Sequence, residues 1–306
     1  MFVIGFSKKC TEFMFTDIYI HLFQYFQDIF GFKIQGNFQF SENNIIYNSY
    51  NGIYFGSFSS TPSVTSNTID NNDPYPLVCY PKQVNNISNN SFSGNTNQQI
   101  NIQSGTVSED ATWEDPGIPF RIEGVIYIQG QDGIDMVTTL TLEPGITMEF
   151  NSNTYLYIGH DTNPLYAGAL VAVGTVSDSI KFTTDTASPS PGYWYGIYFA
   201  YYADGSISTL DYCLVEYGGY SSYENIFCNN TSPSILNSTI KYGSGSGIYC
   251  YQASPSISGC SIAHNSYSGI YCNNISNPVI NGCNINENGS YGVDCNMNSE
   301  PTIDSC

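Results

Sequence analysis

Ser-Pro-Ser-Ile (232–235), Ser-Pro-Ser-Ile (254–257) and Asn-Pro-Val-Ile (277–280) are three copies of one phrase, and Glu-Pro-Thr-Ile (300–303) begins a fourth. Each full copy leads to a second shared phrase: Gly-Ile-Tyr-Cys (247–250), Gly-Ile-Tyr-Cys (269–272) and Gly-Val-Asp-Cys (292–295). Pro233, Pro255, Pro278 and Pro301 recur at 22, 23 and 23 residues. A fixed period of this length marks a solenoid, in which a repeat buries its apolar side only by stacking on its neighbours.

Within each phrase apolar residues alternate, as in Ile248-x-Cys250 and Ile270-x-Cys272. Period two means strand. Short strands separated by Gly, Asn and Ser corners, returning after about 23 residues, describe one coil of a parallel β-helix. The cysteines follow the same period: Cys228, Cys250, Cys272 and Cys295 form one series, and Cys260, Cys283 and Cys306 another.

The pattern Pro-x-Ile-x-x-(Cys/Ser)-x-Ile followed by Gly-Ile-x-Cys resembles the right-handed parallel β-helix repeat family, which shares its fold with the pectate lyases. That resemblance implies the handedness and an all-β solenoid. Walking the inward pairs back gives Ile53/Phe55, Leu77/Cys79, Ile100/Ile102, Ile126/Ile128, Met148/Phe150, Val171/Val173, Ile197/Phe199 and Ile226/Cys228, then the pairs above. The expectation is about eleven coils over residues 37–306, a stack on the order of 50 Å long. Asn44, Asn67 and Asn90 recur at the position of Cys213, Ser238, Cys260 and Cys283, which predicts an inward asparagine ladder. Residues 1–36 break the repeat. Phe15, Ile18, Leu22, Phe26 and Ile29 fall at helical spacing, predicting a short amphipathic helix that caps the solenoid. The fourth phrase is cut at Cys306, so a piece of a longer protein is expected.

Phrases such as Leu140-Thr-Leu-Glu-Pro-Gly145 and Trp194-Tyr-Gly-Ile-Tyr-Phe199 are similar to segments of large secreted bacterial β-helix proteins. That similarity implies export to the cell surface and names no reaction. No secretion signal is visible: apolar residues precede Lys8 and Lys9, the reverse of a signal peptide. No apolar run is long enough to span a membrane.

Only 11% of residues are charged, yet the formal net charge is −19, with seven basic residues and a single arginine, Arg121. Such a surface repels nucleic acid and anionic membranes. The lyases of the resembled fold use an arginine or lysine base beside Ca²⁺-holding carboxylates. Here Arg121, Lys181 and Lys241 read as solvated charges at unrelated phases of the repeat. Gly159-His160-Asp161 is the nearest phrase to a hydrolase motif, and His160 reads as a turn residue. Glu109, Asp110, Glu114 and Asp115, and then Asp132 and Asp135, are acidic loops where Ca²⁺ is conceivable. The cysteine series reads as a stack of free buried thiols, with disulfides between coils as the alternative. The outward residue between inward pairs is aromatic at Tyr198, Phe227, Tyr249 and Tyr271. Such a stripe suits sugar rings. The expected function is therefore a non-catalytic, extracellular or cell-surface module that binds a glycan or serves as an adhesive stalk. The alternatives are a polysaccharide lyase or glycoside hydrolase, and a purely structural stalk.

Overall fold

The computed structural model describes residues 39–56, 61–132 and 135–306. The helix expected over residues 1–36 lies outside them. The described residues form a parallel β-helix, as every strand pairing within its sheets is parallel. Three long sheets carry it. A ten-stranded sheet, here the long sheet, runs from Ile53–Tyr54 to Asn284–Asn286. An eight-stranded tyrosine sheet runs from Gly105–Val107 to Val293–Cys295. A second eight-stranded sheet, the proline sheet, runs from Ala111–Trp113 to Thr302–Asp304 and holds the strands of the proline phrases.

Alternation fills the core. Ile235, Ile257 and Ile280 stack from the proline sheet, Ile240 and Ile262 from the long sheet, and Ile226, Ile248 and Ile270 from the tyrosine sheet, all with 0% exposure. Each fully buried isoleucine contributes about 1.5–3 kcal/mol. Cys228, Cys250 and Cys272 stand in register among them as free, buried thiols. Burial pushes the Cys228 thiol well above its ordinary pKa, so it behaves as a small hydrophobe.

The corners explain the asparagines. A single residue in the left-handed region turns the chain, and the next side chain points inward and ties the coils together. At one corner the turning residues are Glu42, Ser66 and Asn89 in the early coils, and Tyr212, Asn237, Gly259 and Gly282 later. The inward residues that follow are Asn43, Asn67 and Asn90, then Cys213, Ser238, Cys260 and Cys283. Asn67 donates to the Phe40 and Thr65 carbonyls, and Cys260 bonds the equivalent Ile235 and Ser258 carbonyls. The two residue types therefore share one position, as the spacing predicts, except that the first rung is Asn43 and not Asn44. Asn43 donates to Asn67 Oδ1 at 3.0 Å, whereas Asn44 is exposed on a strand. A 24-residue first step, one longer than the second, hides this.

A second ladder at the next corner runs Asn48–Asn72–Asn95 and returns as Asn225–Asn265–Asn288. Its signal, Asn48, Asn72 and Asn95 at steps of 24 and 23, is present in the sequence.

The single series of inward pairs is also corrected. Leu77 and Ile100 are on the long sheet, and Phe120, not Ile126, stacks on Ile100. The 3₁₀ turn Pro81–Asn86 stands beneath the first strands of the tyrosine and proline sheets, so the roles of the faces change over residues 80–122. Met148 and Phe150 belong to the long sheet. Val171 and Val173 are not inward: Leu170 and Ala172 are buried, and Val173 is exposed.

Candidate functional site

The outward column of the tyrosine sheet is set by strand register. It reads Thr106, Tyr127, Tyr157, Tyr198, Phe227, Tyr249, Tyr271 and Asp294. All four residues expected to form a stripe, Tyr198, Phe227, Tyr249 and Tyr271, lie in it consecutively. Tyr157 and Tyr127 extend it to six aromatic rings. Tyr54, Val78, Asn101 and Glu149 belong instead to the long sheet, and Ala172 is buried in the proline sheet. Tyr157 escapes the sequence pattern because it stands 30 residues after Tyr127 and 41 before Tyr198, across inserted loops.

Ring centroids along the column are 5.6, 4.9, 4.9, 4.8 and 4.7 Å apart, the spacing of neighbouring strands. Tyr157 and Tyr198 are parallel to within 4° and cover each other's faces. From Tyr198 to Tyr271 successive rings are tilted by 58, 41 and 32°, so their faces are not fully shared.

A polar column runs beside the rings: Asn229, Tyr251 and Asn273 in register. Asn273 donates to the Tyr249 hydroxyl at 3.0 Å, while its own Oδ1 is buried with no hydrogen-bond partner. Asp161, on the loop after Tyr155–Ile158, closes this edge. Its carboxylate accepts the Tyr157 hydroxyl at 2.6 Å, the Asn229 amide at 2.9 Å, the Tyr201 N–H at 3.2 Å and the Tyr198 hydroxyl at 3.3 Å. Burial, and then the neighbouring Asp161 charge, push the Tyr198 hydroxyl above its ordinary pKa. His160 is a turn cap: its Nδ1 accepts the Thr162 and Asn163 N–H groups, both at 3.1 Å. The member of that phrase that meets the aromatic column is Asp161, which the sequence does not single out.

At the other edge of the column lies a cavity of about 10 Å³ lined by Tyr155, Tyr195, Gly196, Ile197, Tyr198, Tyr223, Glu224 and Phe227. Tyr195 meets Tyr155 at 5.6 Å and Tyr223 at 5.1 Å, both edge to face. Glu224 accepts the Ser246 N–H. Burial raises its carboxyl to a pKa of about 8, against the lowering effect of that bond.

The long sheet carries a different column. Asn101, Arg121 and Glu149 are in register, followed by Thr183, Glu216 and Lys241. Arg121 and Lys241 thus share a phase and are interleaved with carboxylates, contrary to the sequence reading, because uneven loops disguise the common register. Arg121 pairs with Glu123 and with Asp185 at 2.9 Å, and its guanidinium lies 5.9 Å from the Tyr75 ring centre. Lys241 pairs with Glu216 at 3.3 Å. Glu149 bonds Gln99, and its pKa is raised by burial and by Asp185. Lys181 stands beside Leu214, outside this column.

The acidic loops converge only partly. The Asp110 N–H meets Asp132, the Thr139 N–H meets Asp110 at 2.8 Å, and Glu109 pairs with Lys82. Asp115 accepts the Gly117 N–H within its own turn. Among the described residues no group of three His, Cys, Asp or Glu side chains is placed to hold a metal ion, and no helix is long and apolar enough to cross a membrane.

Searches of curated proteins and of solved structures returned no match. A family model described as a right-handed beta helix region matches residues 5–118 and 181–306. The intervening coils, with their inserted loops, continue the same three sheets. On the repeat, the parallel sheets and this match, the chain belongs to the right-handed β-helix family.

Proposed function

We propose that the chain is a non-catalytic, exported module whose tyrosine sheet binds polysaccharide. One observation carries this reading: six aromatic rings form an unbroken outward column, flanked by the amides of Asn229 and Asn273 and the carboxylate of Asp161. Aromatic rings offer apolar area to the C–H faces of sugars, while amides and carboxylates meet their hydroxyls. The tilted rings from Phe227 to Tyr271 are the centre of the site, since Tyr157 and Tyr198 spend their faces on each other. Retention on immobilised polysaccharides tests it. The double variant Tyr249→Ala/Tyr271→Ala should lose retention with its melting transition still cooperative; unchanged retention excludes this column. Export is part of the proposal, and a protease added to intact producing cells should cleave the chain.

A second reading, polysaccharide cleavage, is favoured by the Arg121 cluster. Glu149, with its raised pKa, is a candidate proton donor, and Asp185 is a nearby carboxylate. Against it, Arg121 and Asp185 are engaged with each other. Oligosaccharides released from a polysaccharide panel, detected by mass spectrometry and lost in Glu149→Gln, would favour it.

A further inference from the structure

The cavity beside the aromatic column has a chemistry of its own. Its walls are four tyrosines and a phenylalanine, and its one ionisable group besides those phenols is the Glu224 carboxyl. Among the described residues no lysine, arginine or histidine pairs with Glu224. Gly245 lies against it so closely that a Cβ there would collide with the Glu224 carboxylate. The backbone therefore makes room for a carboxyl group that meets no cation among the described residues.

Aromatic walls around a carboxyl group are complementary to an organic cation, whose charge favours the ionised carboxylate against the burial that otherwise keeps it protonated. The ring quadrupoles attract positive charge, and more strongly when water is excluded. Size narrows the class. A cavity of about 10 Å³ is at the lower limit for one water molecule. A primary ammonium head is of that size, and a trimethylammonium head is much larger. The surroundings agree in sign. Among the described residues no lysine or arginine lies in the outward column or in the Asn229–Tyr251–Asn273 column beside it, whereas Asp161 bonds Tyr157 and Tyr198 and Asp294 stands in register with Tyr271. The chain as a whole carries −19.

We infer that this cavity receives a primary ammonium group, so that the glycan read by the tyrosine sheet is one bearing free amines, such as a polymer of unacetylated hexosamine. The inference rests on the polysaccharide reading above for the sugar, and on the cavity alone for the ammonium. In the bound state the ammonium sits against Glu224 with Tyr195 and Tyr223 as walls, and the sugar ring lies toward Phe227 and Tyr249. Asp161, on the far side of Tyr198, serves a neighbouring amine of the same chain.

Calorimetry on the full chain tests this with three probes: an oligomer of glucosamine, its fully N-acetylated counterpart of the same length, and spermidine, an amine without sugar rings. The glucosamine oligomer is expected to bind at least tenfold more tightly than the acetylated one. Glu224→Gln, which keeps the shape, should remove that difference. Tyr223→Leu, at the exposed rim, should reduce it severalfold, and unchanged circular dichroism certifies both folds. Equal binding of the two oligomers overturns the ammonium inference and leaves the polysaccharide reading standing. Glu224-dependent binding of spermidine with neither oligomer bound supports the ammonium site and overturns the inference that a glycan of hexosamine presents the amine. Binding of none of the three overturns the ammonium inference, and retention on the immobilised polysaccharides then decides the polysaccharide reading by itself.

Discussion

The tyrosine sheet and the long sheet are built on the same coils, with the same strand spacing, and present opposite chemistry to solvent. On the tyrosine sheet a column of rings stacks at 4.7–5.6 Å, with carboxyl groups at its edges and no cation in it among the described residues. On the long sheet Arg121, Glu149, Glu216 and Lys241 share a column, where Lys241 pairs with Glu216, and Arg121 with Glu123 and Asp185 beside it. A parallel stack amplifies whatever occupies one position, because each residue meets its own kind, or its counter-ion, one coil away. The charged column finds its partners within the long sheet's own surroundings: Glu123 and Asp185 for Arg121, Gln99 for Glu149, and Glu216 for Lys241. Beside the aromatic column, Glu224 has no cationic partner among the described residues and Asn273 Oδ1 is unbonded. Unmet groups of this kind point to a face that meets something else.

The largest expected effect breaks the charged column. Arg121 is 15% exposed and Asp185 9%, so Arg121→Ala leaves Glu123, Glu149 and Asp185 crowded without their cation. Loss of one partner of such a network costs about 3–5 kcal/mol. Urea denaturation at neutral pH checks it, and binding by the tyrosine sheet should be unaffected in the folded fraction. A loss under 1 kcal/mol would mean that the cluster is hydrated and equivalent to any surface charge.

The next effect distinguishes the faces by pH. The folded pKa of Glu224 is raised, to about 8 from an ordinary 4.5. Its contribution to stability is therefore complete below pH 4.5, where folded and unfolded chains both hold the proton. It falls as the unfolded state ionises, and it levels off above pH 8, once the folded state has ionised too. At about 1.4 kcal/mol per unit the span has a ceiling of about 5 kcal/mol, and a partly hydrated carboxyl gives about 3 kcal/mol. Glu224→Gln should flatten this part of the pH profile and be the more stable protein at pH 8. A wild-type profile that is already flat between pH 5 and 8 would remove the buried-acid description.

Smaller again is the truncation of the rings. Tyr249→Ala removes ring contacts with Phe227 and Tyr271, each worth about 0.5–1.5 kcal/mol, so a loss of about 2 kcal/mol is expected by thermal unfolding. The contrast is the test: this modest destabilisation should accompany loss of polysaccharide retention.

Much of this was legible in the sequence where the period is regular. The Pro-x-Ile and Gly-Ile-x-Cys phrases place Ile257, Ile280, Cys250 and Cys272 in the core, and the four rings Tyr198, Phe227, Tyr249 and Tyr271 fall in one column. Corner chemistry was legible too, since Asn67 and Cys260 make the same carbonyl contacts. Legibility failed where loops change length. The steps from Tyr127 to Tyr157 and from Tyr157 to Tyr198 exceed the period, so Tyr157 was missed and Glu149 assigned to the wrong face. The single-residue slip at Asn44 has the same origin. Asp161, Glu224 and the partners of Arg121 were invisible for a different reason. Asp161 bonds Asn229, 68 residues away, and Arg121 meets Asp185 across two coils. No local spacing records contacts that depend on which strands become neighbours.

The smallest effect tests whether the edge of the aromatic column is a working part or only a seam. Tyr198→Phe keeps the ring, its parallel stack on Tyr157 and its tilt against Phe227, and removes only the hydroxyl. That hydroxyl lies 3.3 Å from each Asp161 oxygen and from the Asn229 amide, long contacts beside the 2.6 Å bond from Tyr157. A hydrogen bond to a charged acceptor is worth about 1.5–3 kcal/mol when well made, and this one should cost about 1 kcal/mol or less. Asp161 keeps Tyr157, Asn229 and the Tyr201 N–H, so its position should hold. Retention of polysaccharide should therefore survive Tyr198→Phe and fall in Asp161→Asn, which alters the charge that all of these groups surround. Equal retention by both variants would make this edge a structural clasp, and would confine recognition to the tilted rings from Phe227 to Tyr271.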